Sequence, residues 1–183
     1  MTMKKAGGII LAFVIFFSIA VLCVKPYERA VVYPKKYAEI IEKYSLEYGV
    51  DKNLMFAVVK TESGFDPDAV SHAGAIGLTQ ITEETYDWIK WKLNDEGRFS
   101  DLFDPETSVE YGAYFLGFLL DDFGNFRTAA AAYHAGRAKV HSWLENGDYS
   151  ADGKTLDVIP SKDTAHYVAK ITKAYEKYNS LYR

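Results

Sequence analysis

A single carboxylate, Glu62, stands where an apolar helix should end, and the residues after it, Ser63-Gly64-Phe65-Asp66-Pro67, do not continue that helix. Met55, Val58, Val59 and Glu62 fall at i, i+3, i+4 and i+7, one face of a helix that is otherwise apolar, so Glu62 is carried toward the interior. Gly64 is a natural helix stop, which puts Glu62 in the last turn, where the helix dipole disfavours an anion. Burial and the dipole both disfavour the charged form and both raise the pKa. A carboxylic acid still protonated near neutral pH is the group that general-acid cleavage of a glycosidic bond needs.

Other residues carry weaker chemical signals. Asp66 and Asp68 suit caps or braces of the loop that follows Glu62, and Glu83-Glu84 read as first-turn acids favoured by the helix dipole. His72, His134, His141 and His166 show no metal-ligand spacing, so no metal site is expected. Ser63 or Ser71 with His72 and an aspartate could be written as a nucleophilic triad, but near-adjacent residues rarely point together.

The elements that must position Glu62 are helical. Tyr37, Ile40, Ile41, Tyr44 and Tyr48 form an amphipathic stripe ended by Gly49, and Asp51 can cap the next helix, which runs to Glu62 or Ser63. The loop from Gly64 to about Gly77 is rich in glycine and small residues and is expected to wrap the mouth of the site. A helical pattern spans roughly residues 83 to 93, and Asp104-Pro105 opens another that runs to about Phe123. Residues 126 to 135 and 137 to 145 read as two short helices, Gly147 to Pro160 as an irregular crossing, and Ser161 opens a last helix with Tyr167, Ile171, Ala174, Tyr175 and Tyr178 inward. No alternating strand of useful length is visible, and the fold class is all-α.

The blocks around Glu62 resemble a known family. Glu62-Ser63, then Ala69-x-Ser71, then Gly74-Ala-x-Gly77-Leu-x-Gln80 is similar to the core of the lytic transglycosylases of the soluble-lytic-transglycosylase type, relatives of goose-type lysozyme. Leu102-Phe-Asp-Pro-Glu-Thr107, Ala132-Tyr133-His134-Ala-Gly136, and Ile159-Pro160 with Thr164-x-x-Tyr167-Val168 follow in the family's order, covering roughly residues 36 to 180. The resemblance implies a lysozyme-like helical domain over residues 35–183 with Glu62 as the catalytic acid. It implies that Ser71 and Gln80 contact acyl and N-acetyl groups of the sugar, that Tyr133 sits near the acid and positions it, and that Tyr167 lines the cleft. Loop hydrogen bonding by Ser71 and Gln80, and structural packing by the two tyrosines, are the alternatives. Three departures from the family pattern, Thr79, Thr82-Glu83 and His134, fall where sugar contact is implied.

The resemblance also implies a reaction. One acid protonates the oxygen between N-acetylmuramic acid and N-acetylglucosamine, and the resulting carboxylate takes the proton of the C6 hydroxyl as a 1,6-anhydro ring closes. No water, metal or cofactor takes part. A muramidase of the same fold would need a second carboxylate, for which Glu83 or Asp66 are the candidates, and a weakly active wall-binding or assembly protein is the reading from another class.

Location is read from the N-terminus. Lys4 and Lys5 precede an unbroken apolar run from Gly7 to Val24 whose helical length, about 27 Å, is just short of the roughly 30 Å hydrocarbon core. With no convincing small-x-small cleavage site, an uncleaved anchor at residues 7–24 is expected, with a cytoplasmic tail at 1–6 and a linker at 25–34. The basic flank predicts the domain outside a bacterial cytoplasmic membrane, although Lys25 and Arg29 reduce the asymmetry. A net charge of −4 without a Lys/Arg stripe argues against nucleic acid, leaving peptidoglycan glycan strands and the membrane as the expected partners. Fourteen Tyr, eleven Phe and three Trp supply rings for a sugar groove as well as a core, and with Cys23 the lone cysteine no internal disulfide can form.

Overall fold

The computed structural model describes residues 24 to 182, which divide into two units, one up to Lys35 and the other Lys36–Tyr182. In the first unit, Glu28–Val32 forms a π-helical turn closed by the Tyr33 N–H on the Glu28 carbonyl at 2.7 Å. The expected linker is therefore helical in part, since no Pro or Gly interrupts residues 27 to 33. The apolar run from Gly7 lies outside the described residues, apart from Val24; among the described residues no helix is long and apolar enough to cross a membrane.

Lys36–Tyr182 is built from helices α1 (Ala38–Glu47), α2 (Lys52–Glu62), α3 (Glu83–Leu93), α4 (Pro105–Phe123), α5 (Phe126–Ala135), α6 (Arg137–Leu144) and α7 (Lys162–Leu181), with a 3₁₀ turn at Phe99–Phe103. Most starts follow their sequence signals. Asp51 accepts the N–H groups of Asn53 (2.8 Å) and Leu54 (3.2 Å) to open α2. Thr82, Asp104, Asn125 and Ser161 each accept an N–H three residues on. The only pairing of extended backbone among the described residues is isolated bridges, Val70 with Ile76 and Ile76 with Ile81.

The helix carrying Glu62 is the most enclosed of the set. Every residue of α2 from Asn53 to Val59 is buried, so its apolar face is matched by cover on its other faces. It packs chiefly against α7, where Phe56 and Tyr178 stack with ring centroids 5.4 Å apart. Each fully buried large side chain in this contact contributes roughly 1.5–3 kcal/mol. Helix α5 in turn packs on both α4 and α7. A second cluster of Ile76, Ile81, Tyr86, Ile89, Leu102 and Tyr111 binds the 63–82 loop to α3, the 3₁₀ turn and α4.

Two glycines make that loop fit. Gly77 has φ +77°, and a Cβ there would lie 2.0 Å from the Leu102 carbonyl oxygen. On α4, a Cβ at Gly112 would lie 2.4 Å from Cγ2 of Thr79. Thr79 is fully buried and its hydroxyl donates to the Ser108 carbonyl at 2.7 Å, so it has no room to withdraw. Gly112→Ala is accordingly expected to cost about 1–3 kcal/mol, read as a lower urea midpoint at unchanged m-value.

Candidate active site

Glu62 is the last residue of α2, and its side chain enters a cavity of about 320 Å³ walled by Thr61, His134 at the end of α5, and Asp163, His166, Tyr167 and Lys170 of α7. The Tyr167 hydroxyl donates to Glu62 Oε1. Burial pushes the Glu62 pKa up to about 7, against the Tyr167 hydrogen bond and the Lys170 charge, which both favour the carboxylate. The position at a helix C-terminus acts in the same direction as burial. Glu62 is thus a proton donor at neutral pH and a base once its proton has left.

Neither neighbouring phenol competes for that proton. Burial, followed by the nearby Glu62 charge, holds Tyr133 and Tyr167 well above the ordinary phenol pKa, so both remain hydrogen-bond donors. They donate to different acceptors. Tyr167 binds the acid, whereas the Tyr133 hydroxyl binds the Thr79 carbonyl at 2.8 Å and does not reach Glu62 as a donor. The Tyr133 hydroxyl, expected from the sequence to sit near the acid, lies close enough to feel the Glu62 charge but donates to the loop, and Tyr167, expected to line the cleft, donates to the acid. The reason is helical placement: α7 lies along α2, while Tyr133 on α5 faces the inner end of the loop.

Ser71 and Gln80 sit in the loop and do not line the Glu62 cavity. The Ser71 hydroxyl accepts the Ala75 N–H at 3.0 Å, and Gln80 Nε2 donates to the Ala69 (3.0 Å) and Gly77 (2.9 Å) carbonyls. These bonds brace a backbone in which Phe65 and Gln80, neither of them glycine, have φ +68° and +50°. They leave the Ser71 hydroxyl hydrogen and the Gln80 carbonyl oxygen for a ligand. Ser63 joins the loop's two ends, because its Oγ donates to the Leu78 carbonyl at 2.9 Å.

Of the three departures from the family pattern, Thr79 and Thr82 make hydrogen bonds within the fold, and Glu83 is exposed. Thr79 is buried against α4, and Thr82 caps α3, its hydroxyl bonded to that of Thr85 at 3.0 Å. His134 alone faces the cavity. Its ring lies 4.6 Å from that of Tyr167, and its Nδ1 is 3.2 Å from Thr164 Oγ1. Thr164 donates its own hydroxyl hydrogen to Ser161 Oγ (3.1 Å), so Nδ1 carries the imidazole proton and Nε2 remains an acceptor. Burial lowers the His134 pKa, with Asp163 opposing, which favours the neutral ring at neutral pH.

Of the α7 residues at the cavity, sequence reading found Tyr167 and missed Asp163, His166 and Lys170. Asp163, His166, Tyr167 and Lys170 stand at i, i+3, i+4 and i+7, a polar stripe on a helix whose other stripe is core. That spacing was the available signal. Among the described residues no cluster of three His, Cys, Asp or Glu side chains could hold a metal ion.

Comparison with known proteins gives the chain's family and fold. Residues 39–155 match the transglycosylase SLT domain family. The chain is 31% identical over 150 residues to the soluble lytic murein transglycosylase of Escherichia coli K12, covering 80% of this chain and 23% of that protein. It is 39% identical over 92 residues to the membrane-bound lytic murein transglycosylase C of Sodalis glossinidius, covering 48% of this chain and 26% of that one. The crystal structure of the 70 kDa soluble lytic transglycosylase of Escherichia coli superposes with a TM-score of 0.71 at 30% identity, over 80% of this chain and 24% of that one. The chain thus spans about a quarter of the length of each of these relatives.

Two outcomes follow from the raised Glu62 pKa. Tyr167→Phe removes a bond that favours the carboxylate, so the Glu62 titration should move above about 7, read by ¹³C NMR of its side-chain carboxyl. The second concerns stability. The folded pKa of about 7 exceeds the reference of 4.5, so the folded state binds the extra proton between them and stability falls as pH rises through that window. Glu62→Gln lacks this loss and should exceed the parent at pH 8 by on the order of 1–3 kcal/mol in urea unfolding, with the advantage gone below the unfolded-state pKa.

Proposed function

The chain belongs to the transglycosylase SLT family, and on that premise we propose that it is a lytic transglycosylase cleaving peptidoglycan glycan strands. The observation that carries the proposal is one buried carboxyl, Glu62, in an open cavity with a phenol donating to it and its pKa pushed up to about 7 by burial. Glu62 gives its proton to the glycosidic oxygen between N-acetylmuramic acid and N-acetylglucosamine as the C1–O bond breaks. The substrate's N-acetyl group stabilises the cationic C1. Glu62, now a carboxylate held by Tyr167, accepts the C6 hydroxyl proton while O6 bonds to C1, which closes the 1,6-anhydro ring and restores the acid. Ser71 and Gln80 offer the remaining donor and acceptor to the sugar from the loop.

The domain is placed outside the cytoplasmic membrane, tethered by Gly7–Val24. The printed name of the membrane-bound relative is in keeping with this placement. A second reading, hydrolysis, rests on Asp163, the other carboxylate in the Glu62 cavity and a residue in the first turn of α7. The earlier candidates for that role do not line this cavity: Asp66 is exposed and accepts the Asp68 N–H, and Glu83 is exposed at the start of α3.

The deciding experiment incubates the full-length protein in detergent with polymeric peptidoglycan, beside Glu62→Gln, and reads released muropeptides by mass spectrometry. Anhydro-muramyl ends are expected, reduced about 10²–10⁴-fold in the variant. Reducing ends, abolished by Asp163→Asn, would replace the lyase reading with hydrolysis. Bound strands without any release would favour a wall-binding role.

A further inference from the structure

The Lys36–Tyr182 unit has a second cavity besides the one that holds Glu62. An open cleft of about 680 Å³ lies between α3, α4, the end of α5 and the start of α6 over a floor of Trp88, Phe115 and Phe118. The rings form one surface, with Trp88 4.7 Å from Phe118 and 6.1 Å from Phe115 between centroids. This cavity and the Glu62 cavity meet the same end of α5. Ala135 and Gly136 line the former, while His134, one residue earlier, lines the Glu62 cavity. Phe115 also packs on Tyr133 with centroids 5.1 Å apart.

Its rim is cationic on a chain of net charge −4. Lys92, Arg137 and Lys139 face a single lining carboxylate, Glu84. Arg137 is already engaged, with Nε and Nη2 on Asp122 at 2.8 and 3.0 Å. Among the described residues no carboxylate lies within ion-pair distance of Lys92 or Lys139. Their ammonium groups rest instead beside aromatic rings, Lys92 4.7 Å from Trp91 and Lys139 5.7 Å from Trp143, which holds the charges near the rim without neutralising them.

We propose that this cavity is a second binding site, for the acidic stem peptide of the glycan strand whose backbone enters the Glu62 cavity; the proposal rests on the peptidoglycan reading above. The N-acetylated sugars of a strand carry no charge once the muramyl carboxyl is amidated by the peptide. Its free carboxylates therefore lie on the stem, and two ammonium groups lacking carboxylate partners complement the stem, not a sugar ring. The alanyl methyl groups of the stem suit the Trp88–Phe118 floor. On a protein that otherwise repels an anionic wall, the patch would fix which way a strand lies across the acid.

The test compares the full-length protein with Lys92→Glu/Lys139→Glu, both rim positions being exposed and outside the core. Substrates are uncrosslinked glycan strands bearing stems and the same strands stripped by an amidase and then coupled to methylamine, so that each muramyl carboxyl remains an uncharged amide. A free stem peptide is also titrated by NMR against the protein and a Lys92→Gln/Lys139→Gln control. The double reversal should raise KM on stem-bearing strands about three- to tenfold, leave kcat unchanged and leave stripped strands unaffected. Peptide binding should vanish in both variants and weaken with salt. Equal losses on both substrates would make the cavity a glycan subsite, and no change on either would leave the stem without a site here; each overturns the proposal. If the parent protein cleaves neither substrate, the catalytic reading fails. The titration then decides alone: stem-peptide shifts at the rim that both variants abolish support the site, and their absence sinks it.

Discussion

Desolvation of one carboxyl at the end of a buried helix is the constraint around which this domain is arranged. Helix α2 is enclosed on all faces from Asn53 to Val59, so its terminal Glu62 emerges at the core's margin instead of at the surface. The surrounding protein removes water from the acid but leaves it open to a cavity, and a pKa of about 7 results. Tyr167 limits the shift, since its donated hydrogen bond favours the carboxylate. A group that must give a proton and take one back is best served by such opposing influences, because neither protonation state is then far from the other in free energy.

The loop after Glu62 is held from three directions. Ser63 joins its beginning to Leu78, Thr79 joins it to Ser108 on α4, and Tyr133 joins the Thr79 carbonyl to α5. The close approach of Gly112 to Thr79 and of Gly77 to Leu102 leaves no slack for movement. With Ser71 and Gln80 spending part of their hydrogen-bonding capacity inside the loop, the groups left over point from a rigid frame. Rigidity of this kind lets weak hydrogen bonds to a neutral sugar discriminate position.

Charge is used sparingly. Inside the Glu62 cavity, Lys170 and Asp163 oppose one another in sign, and the neutral His134 adds an aromatic face to Tyr167. Lys92 and Lys139, which have no carboxylate within ion-pair distance among the described residues, lie at the neighbouring aromatic cavity. The two cavities thus differ in character, one tuned for proton transfer and one for holding an anionic, partly apolar group.

The sequence by itself determined the helices, because their signals are local. Asp51, Thr82, Asp104, Asn125 and Ser161 supply caps whose acceptors reach only three residues along the chain, and the apolar spacing of 55, 58 and 59 carried Glu62 inward. It also brought Glu62, Ser71, Gln80, Tyr133 and Tyr167 into view, through residue blocks similar to a family. What each of the last four touches was decided only by the tertiary structure. Residues 133 and 167 are both tyrosines on helices, and nothing local distinguishes the one that meets Glu62 from the one that meets Thr79. That choice depends on α7 lying against α2, a contact across 105 residues of chain. The internal roles of Thr79 and Thr82, the place of His134 beside Tyr167, and the gathering of Lys92 and Lys139 at one cavity have the same origin. Each depends on which helices are neighbours, and that is fixed by packing of the whole core, beyond the reach of any short stretch of sequence.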